Sequence, residues 1–300
     1  MSVSTALARR GLLMLVVAGV LWGTGGLLGQ LLAESSGLSP LGVAAVRLAA
    51  GGGLILAYLR VTGRPLPRSR AAWLRIGATG LLAATFQASY FTAVTLTSVS
   101  LATLITIGAA PVIVLIARYR TASRSQVVGT ALALLGLAML IGLPTAAPAS
   151  GALLAGAACA LLAGAGFAVM TLLGSRPVAG LDDVTTVGVG FTIGGLVLAS
   201  IVSGTSGWSF VFDLHSVALL LALAIIPTAL AYTCYFRGLR STSAGTGSVL
   251  ALLEPFTATV LAALLLGERI GTIGLIAGAV LALAMVMTAR APRAEPVRPE

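Results

Sequence analysis

One carboxylate in this chain stands where a carboxylate is expensive. Glu254 lies about 10 residues into an apolar run, roughly 15 Å deep at the helical rise of 1.5 Å per residue. In a bilayer an ionised side chain at that depth costs on the order of 3 kcal/mol, so it must face an interior and either hold a proton or find a partner. Gly247, Ala251 and Ala258 share its helical face, a narrow strip of small residues with room for a ligand or water. Two roles fit: a proton or substrate-amine site, or a carboxyl that only supports a kink at Pro255. Arg47 is the other charge deep in an apolar run. It either runs its long stem outward to the interface or pairs with Glu254.

Polar and aromatic residues fall in helical phase around these charges. Thr228, Tyr232 and Tyr235 occupy i, i+4 and i+7 of one run. Gln87 and Tyr90 are i, i+3 on another, and Ser100 and Thr103 repeat that spacing on a third. Trp22 shares a face with Gly19, Gly26 and Gly29. Aromatics beside glycine suit an apolar, stacking-capable pocket with a few polar fixtures. The expected substrate-binding set is therefore Trp22, Gln87, Tyr90, Thr103, Phe167, Thr228, Tyr232, Tyr235 and Glu254. The bland alternative for each is interhelical packing, and Gly-x-x-x-Gly spacings at Gly19–Gly23 and Gly25–Gly29 read as close helix contacts. Pro111 and Pro255, both mid-run, each remove a backbone hydrogen bond and bend their helix, as does Pro227. The first two are the expected hinges, the alternative being static kinks.

Enzymatic chemistry finds no footing. A metalloprotease needs an H-E-x-x-H helix, and the chain has a single histidine, His215, in an expected loop. A phosphate-cradling P-loop needs a lysine, and every basic residue here is Arg. The adjacent Asp182 and Asp183 lie between runs and cannot serve as an intramembrane pair. Cys159 and Cys234 sit inside apolar runs, where thiols act as small hydrophobes. No catalytic residue, metal or cofactor is expected.

The elements that must position these residues follow from composition. With 58% hydrophobic and 9% charged residues, the chain cannot coat a water-facing surface, since soluble domains carry about a quarter charged residues. A bilayer can be its solvent instead. Apolar runs at 11–32, 40–59, 73–93, 98–117, 126–143, 151–173, 184–203, 216–236, 244–266 and 271–289 each approach the roughly 20 residues a span requires. The first is expected to be a retained helix, because it is too long for a signal-peptide core and no A-x-A-like site follows Gln30. Trp73 and Trp208, at run ends, read as interfacial belt residues.

Arginine orients the spans, because short cytoplasmic loops collect positive charge. Arg9 and Arg10 precede the first run; Arg60, Arg64, Arg68 and Arg70 follow the second. Arg118, Arg120 and Arg124 follow the fourth, Arg176 the sixth, Arg237 and Arg240 the eighth, and Arg290, Arg293 and Arg298 the last. The alternate loops hold only Arg269. Both termini are thus expected in the cytoplasm of a bacterium, with the chain in its inner membrane. The net charge of +10 has this topological cause; no aromatic-interleaved basic patch points to nucleic acid.

The two halves echo each other. Tyr90-Phe91 precedes Pro111 by 21 residues and Tyr235-Phe236 precedes Pro255 by 20. Gly-rich final runs follow, with Gly129 and Gly136 in one and Gly274 and Gly278 in the other. The expected fold is an all-α integral membrane protein of ten transmembrane helices as two inverted five-helix repeats: 1–143, a connecting loop 144–150, 151–290, and a cytoplasmic tail 291–300. Five spans per repeat is an odd number, so the second enters from the opposite side, as in transporters with midplane sites.

Leu21-Trp22-Gly23-Thr24, then Ser39-Pro40 and Arg47, resemble the opening of the first repeat in the EamA branch of the drug/metabolite transporter superfamily. Leu253-Glu254-Pro255, Leu266-Gly267-Glu268-Arg269, Gly274 and Gly278 resemble that family's second-repeat signature. The first repeat departs from it, with Thr121–Arg124 where the Gly-Glu-Arg turn would stand. The resemblance covers nearly the whole chain and implies ten helices, inverted repeats and export of amino acids, metabolites or drugs. The chain also looks like the family's bacterial aromatic amino-acid exporters, although no residue above singles out that branch. The expected function is export of small metabolites, namely aromatic or other hydrophobic amino acids and related amphipathic compounds, across the inner membrane by alternating access. A multidrug or cation efflux pump and a passive channel are the alternatives. The expected partners are a small-molecule substrate and the lipid bilayer, with monomer and homodimer both open.

Overall fold

The computed structural model describes residues 3–142, 151–205, 207–266 and 271–290. The loop 144–150, the tail 291–300 and the Gly267-Glu268-Arg269 turn therefore lie outside the described residues. Among those described, the chain is all-helical, without a strand.

The first rod is α1 (Val3–Gly23) continued by α2 (Gly25–Ser36). Next come α3 (Pro40–Val61), α4 (Arg70–Leu96), α5 (Val99–Ala117), α6 (Arg124–Ile141), α7 (Gly151–Gly174) and α8 (Asp183–Gly204). The eighth rod is α9 (Leu214–Ala224), a π-helical turn Ile225–Leu230 and α10 (Ala231–Ser241). The ninth is α11 (Ala244–Leu250) and α12 (Leu253–Leu266), and the last is α13 (Thr272–Ala289). Nine of these rods are long and apolar enough to cross a membrane. The exception is α4, whose 27 residues give ample length; Arg75, Thr79, Gln87 and Ser89 lower its hydropathy. The chain spans the membrane.

Helix starts are written in the sequence. Side chains of Ser39, Ser69, Ser98, Asp182, Asp213 and Ser243 each accept a hydrogen bond from a first-turn N–H. Ser123 and Gln126 close a reciprocal capping box at α6. The turn from α2 to α3 passes through Gly37 at φ 76°, a left-handed cap that glycine adopts without strain.

Packing relies on small residues, because lipid offers helices no hydrophobic reason to associate. α3 packs along α8, α4 along α7 and α8, α6 along α13, and α1 along α10 and α12. A Cβ at Gly80 would run into the carbonyl of Gly190, and one at Gly194 would meet the Gly80 carbonyl at 2.6 Å. Only glycine lets those backbones approach so closely.

Three rods are interrupted, and they meet. α1 gives way to α2 at Thr24, whose hydroxyl turns back to the Leu21 carbonyl at 2.7 Å. The π turn holds Pro227, and Thr228 Oγ1 donates five residues back to the Leu223 carbonyl at 2.8 Å. The ninth rod breaks at Ala251–Leu252, between α11 and α12. The break falls one turn before Pro255, which stands in the first turn of α12: with no N–H at 255, the Ala251 carbonyl accepts instead from the Glu254 N–H at 3.0 Å. Pro111 lies inside α5, which runs on through it.

Candidate functional site

A cavity of about 440 Å³ lies where the interruptions converge. Its rim reaches Ala33, Pro40, Thr95 and Val99, at the end of the bundle away from the arginine-rich loops. Val99 is 62% exposed there. Toward the arginine-rich end the cavity stops on Trp22, Phe167 and Tyr232. Behind that floor the aromatics continue: Tyr235 lies 4.8 Å from Trp22 and 5.6 Å from Phe167 between ring centroids, and Phe191 lies 4.6 Å from Tyr232.

Seven of the expected residues line this one space: Trp22, Gln87, Tyr90, Thr103, Phe167, Tyr232 and Glu254. The Tyr90 and Thr103 hydroxyls bond to each other at 2.8 Å across α4 and α5. Two expected residues stand off it. Thr228 is fully buried and spends its hydroxyl within the π turn. Tyr235 is 1% exposed, its hydroxyl bonded to Thr171 Oγ1 at 2.8 Å behind the floor. Thr228 lies within the π turn, whose wider spacing rotates it relative to Tyr232, whereas Tyr235 keeps the α10 register and lies one turn beyond Tyr232, toward the arginine-rich end. Ser100, in phase with Thr103, is exposed and off the cavity.

The Gly-x-x-x-Gly pairs divide. Gly19 and Gly23 seat α1 on α12, their Cβ positions meeting Leu253 and Thr257. Gly25, Gly26 and Gly29 line the cavity instead, and Gly26 has nothing within 4 Å of its Cβ position. Trp73 and Trp208 are exposed near helix ends, each indole N–H bonded, to the Pro67 carbonyl and to Ser203 Oγ. Cys159 and Cys234 are free, half-buried thiols.

Several lining residues were not in the expected set. Phe86 is one, its ring stacked on Tyr90 at 6.4 Å; the i, i+4 spacing to Tyr90 was the available signal. Arg47 is another. It lines the cavity with Glu254 rather than leaving the bundle for the interface. No ion pair joins the two, the single pair among the described residues being Arg240–Asp183 at 2.8 Å. Two donors at the cavity are buried without any partner, Arg47 Nε and Trp22 Nε1. Unpaired buried donors are costly. A guanidinium and a carboxyl group line the same space within aromatic walls.

The family model described as the EamA-like transporter family matches residues 9–142 and again 154–290. The chain belongs to that family. As an EamA-like transporter it is similar to an uncharacterized transporter of Bacillus subtilis, YwfM, at 28% identity over 289 residues, 94% of each chain. It is also similar to an uncharacterized inner membrane transporter of Salmonella typhimurium, YicL, at 26% identity, covering 86% of this chain and 88% of the relative. A solved crystal structure shares the fold, with a TM-score of 0.79 at 20% identity over 93% of this chain and 98% of the other.

Proposed function

We propose that this EamA-like transporter exports small amphipathic amino acids, aromatic or otherwise hydrophobic, across the bacterial inner membrane by alternating access. The observation that carries the reading is that Arg47 and Glu254 face one cavity without pairing with each other. A solute with a carboxylate, an ammonium and an apolar group matches that arrangement. The carboxylate meets Arg47 and the Trp22 N–H, the ammonium meets Glu254, and the apolar group packs on Phe86, Phe167 and Tyr232. A pure cation would leave Arg47 uncompensated, which disfavours a cation efflux pump. The aromatic floor favours a gated transporter over an open channel.

Orientation and mechanism belong to the same proposal. With arginine-rich loops in the cytoplasm, both termini are cytoplasmic and the cavity opens outward. The double match of one family model, at 9–142 and 154–290, supports two repeats of five spans. So does the packing, which is matched on exchanging halves: α4 on α7 corresponds to the eighth rod on the first, and α3 meets α8 as α6 meets α13. Five spans per repeat make the second inverted. The interrupted rods are the first, eighth and ninth; their counterparts α7, α4 and α5 run unbroken. In alternating access the bends pass from one group to the other, with Pro111 in α5 the prepared position. The hinges are thus Thr24, the π turn at Pro227 and the Ala251–Leu252 break, with Pro255 the first-turn residue of the last.

Uptake of labelled phenylalanine or leucine into proteoliposomes, with and without a pH gradient, tests the reading in the parent and in Glu254→Gln. If Glu254 holds the substrate ammonium, both gradient-driven uptake and counterflow weaken, with affinity falling first. If it couples protons, counterflow survives and accumulation is lost. Full activity of Glu254→Gln in both modes would sink both roles.

A further inference from the structure

A second, smaller pocket of about 150 Å³ lies at the arginine-rich end, where α5 ends, α6 begins, α7 ends and α11 begins. Its polar lining includes Arg118, Thr121, Gln126, Thr130, Ser175 and Ser243, and no carboxylate is among its residues. Arg118 Nε is buried without a partner. Thr130 is only 5% exposed, and its hydroxyl has no hydrogen-bond partner among the described residues. That is unusual, because a helical threonine buried this far normally bonds the carbonyl one turn back. The Ser175 and Thr242 hydroxyls do so, donating to the Leu172 and Gly238 carbonyls at 2.8 Å. Recognition therefore falls to the Arg118 guanidinium, the Thr130 hydroxyl and the Gln126 amide, which holds Ser243 Oγ by a long 3.3 Å bond. Nearby Arg120 is different: its Nε donates to Tyr119 Oη at 2.7 Å, and it is exposed.

We infer that this pocket binds a phosphate-type oxyanion, separately from the substrate cavity. A guanidinium whose Nε is buried without a partner, with no carboxylate beside it and the Thr130 hydroxyl lining the same small space, presents donors and positive charge there. Guanidinium groups match phosphate oxygens in geometry and charge. Basic pockets between transmembrane helices at the positively charged side are also where anionic lipid headgroups bind. The oxyanion comes either from an anionic lipid or from solution. In both cases it contacts α5 and α6 on one side and α7 and α11 on the other. It thereby fastens the two halves of the chain at the end where the substrate cavity is closed.

The test is thermal unfolding of the purified protein in neutral detergent, titrated with phosphatidylglycerol, with phosphatidylcholine as the uncharged comparison and with inorganic phosphate. The parent is set beside Arg118→Gln, Thr130→Val and, outside the pocket, Arg120→Gln. Phosphatidylglycerol should raise the Tm of the parent and of Arg120→Gln. In Arg118→Gln the half-saturating concentration should rise about tenfold or more, the size expected for losing a charged hydrogen bond, with a smaller rise in Thr130→Val. A response to inorganic phosphate alone, lost in the same two variants, assigns the site to a soluble anion instead. If Arg118→Gln does not fold, Thr130→Val alone must show the weakening. No response to either anion, or equal responses in all variants, overturns the inference.

Discussion

Replacing Trp22 with Phe should lower substrate affinity while leaving the fold about as stable as before. Trp22 is 4% exposed, and its Nε1 has no partner. Leaving such a donor unpaired costs the empty protein about 1–3 kcal/mol. A bound carboxylate recovers that cost, so Trp22→Phe should weaken binding by the same amount, roughly five- to 150-fold in Kd. Phenylalanine keeps a ring against Tyr232 and Tyr235, now 4.9 and 4.8 Å from the indole. It gives up apolar area worth about 1–2 kcal/mol, which the relief of the unpaired N–H offsets, so the Tm should move little.

Tyr235→Phe provides the opposite pattern. It removes a hydroxyl bonded to Thr171 behind the floor. Stability should fall by about 1 kcal/mol, and affinity should hold. The assay is calorimetric binding of the best-transported amino acid, with a thermal melt on the same samples. A Trp22→Phe protein that melts several degrees lower and binds normally would refute the reasoning, because the indole would then serve packing alone.

Reporters fused after Arg10 and after Arg290 should both read cytoplasm; a periplasmic signal at one end removes the inverted repeat. Pro255→Ala supplies a donor to the Ala251 carbonyl across the break and should slow turnover more than it weakens binding; equal rates leave Pro255 a packing feature. Pro111→Ala restores a donor to the carbonyl of Ile107, a cavity-lining residue, and should slow turnover more than it weakens binding; equal rates leave Pro111 a packing feature. Gly26→Leu should fold normally and exclude the larger substrates first, measured by competition among amino acids of increasing size. Gly23→Leu, which strikes Thr257 and the Glu254 carbonyl, should fail to yield monodisperse protein in size-exclusion chromatography.

The runs of apolar residues located every rod, to within about five positions except at the start of the first, where α1 begins at Val3 rather than at 11, because spanning a bilayer is a demand on length and composition that any window of sequence displays. Interruptions were harder. Pro227 announced the π turn, and the turn around it follows from a missing N–H. The Ala251–Leu252 break falls one turn before Pro255, whose missing N–H would have bonded the Ala251 carbonyl; the Thr24 break carries no such residue, and arises where packing of α1 on α12 and α10 outweighs one or two helical bonds. Trp22, Tyr232 and Glu254 were legible as lining residues because charge and aromatic content are rare in these spans. Thr228 stands off the cavity because the π turn breaks the uniform helical period, and Tyr235 because it lies one turn past Tyr232, where the cavity has ended. Arg47 could not be assigned from sequence, since a long stem allows either destination and only the neighbouring helices decide.

The break at Thr24 also explains how one glycine-rich rod does two opposite things. Before it, Gly19 and Gly23 bring α1 so close to α12 that added side chains would strike Leu253 and Thr257. After it, Gly25, Gly26 and Gly29 line the cavity, with nothing within 4 Å of the Gly26 Cβ position and only ordinary contacts at the other two. A straight helix would carry one face into both environments and could satisfy only one of them. The change of direction at Thr24 lets the α1 half seal the arginine-rich end while the α2 half stands away from the bundle axis. Trp22 sits at the junction, lining the cavity and packed against Tyr232 and Tyr235. On the proposed alternating access, a substrate that contacts the indole acts on the same side chain that closes the floor.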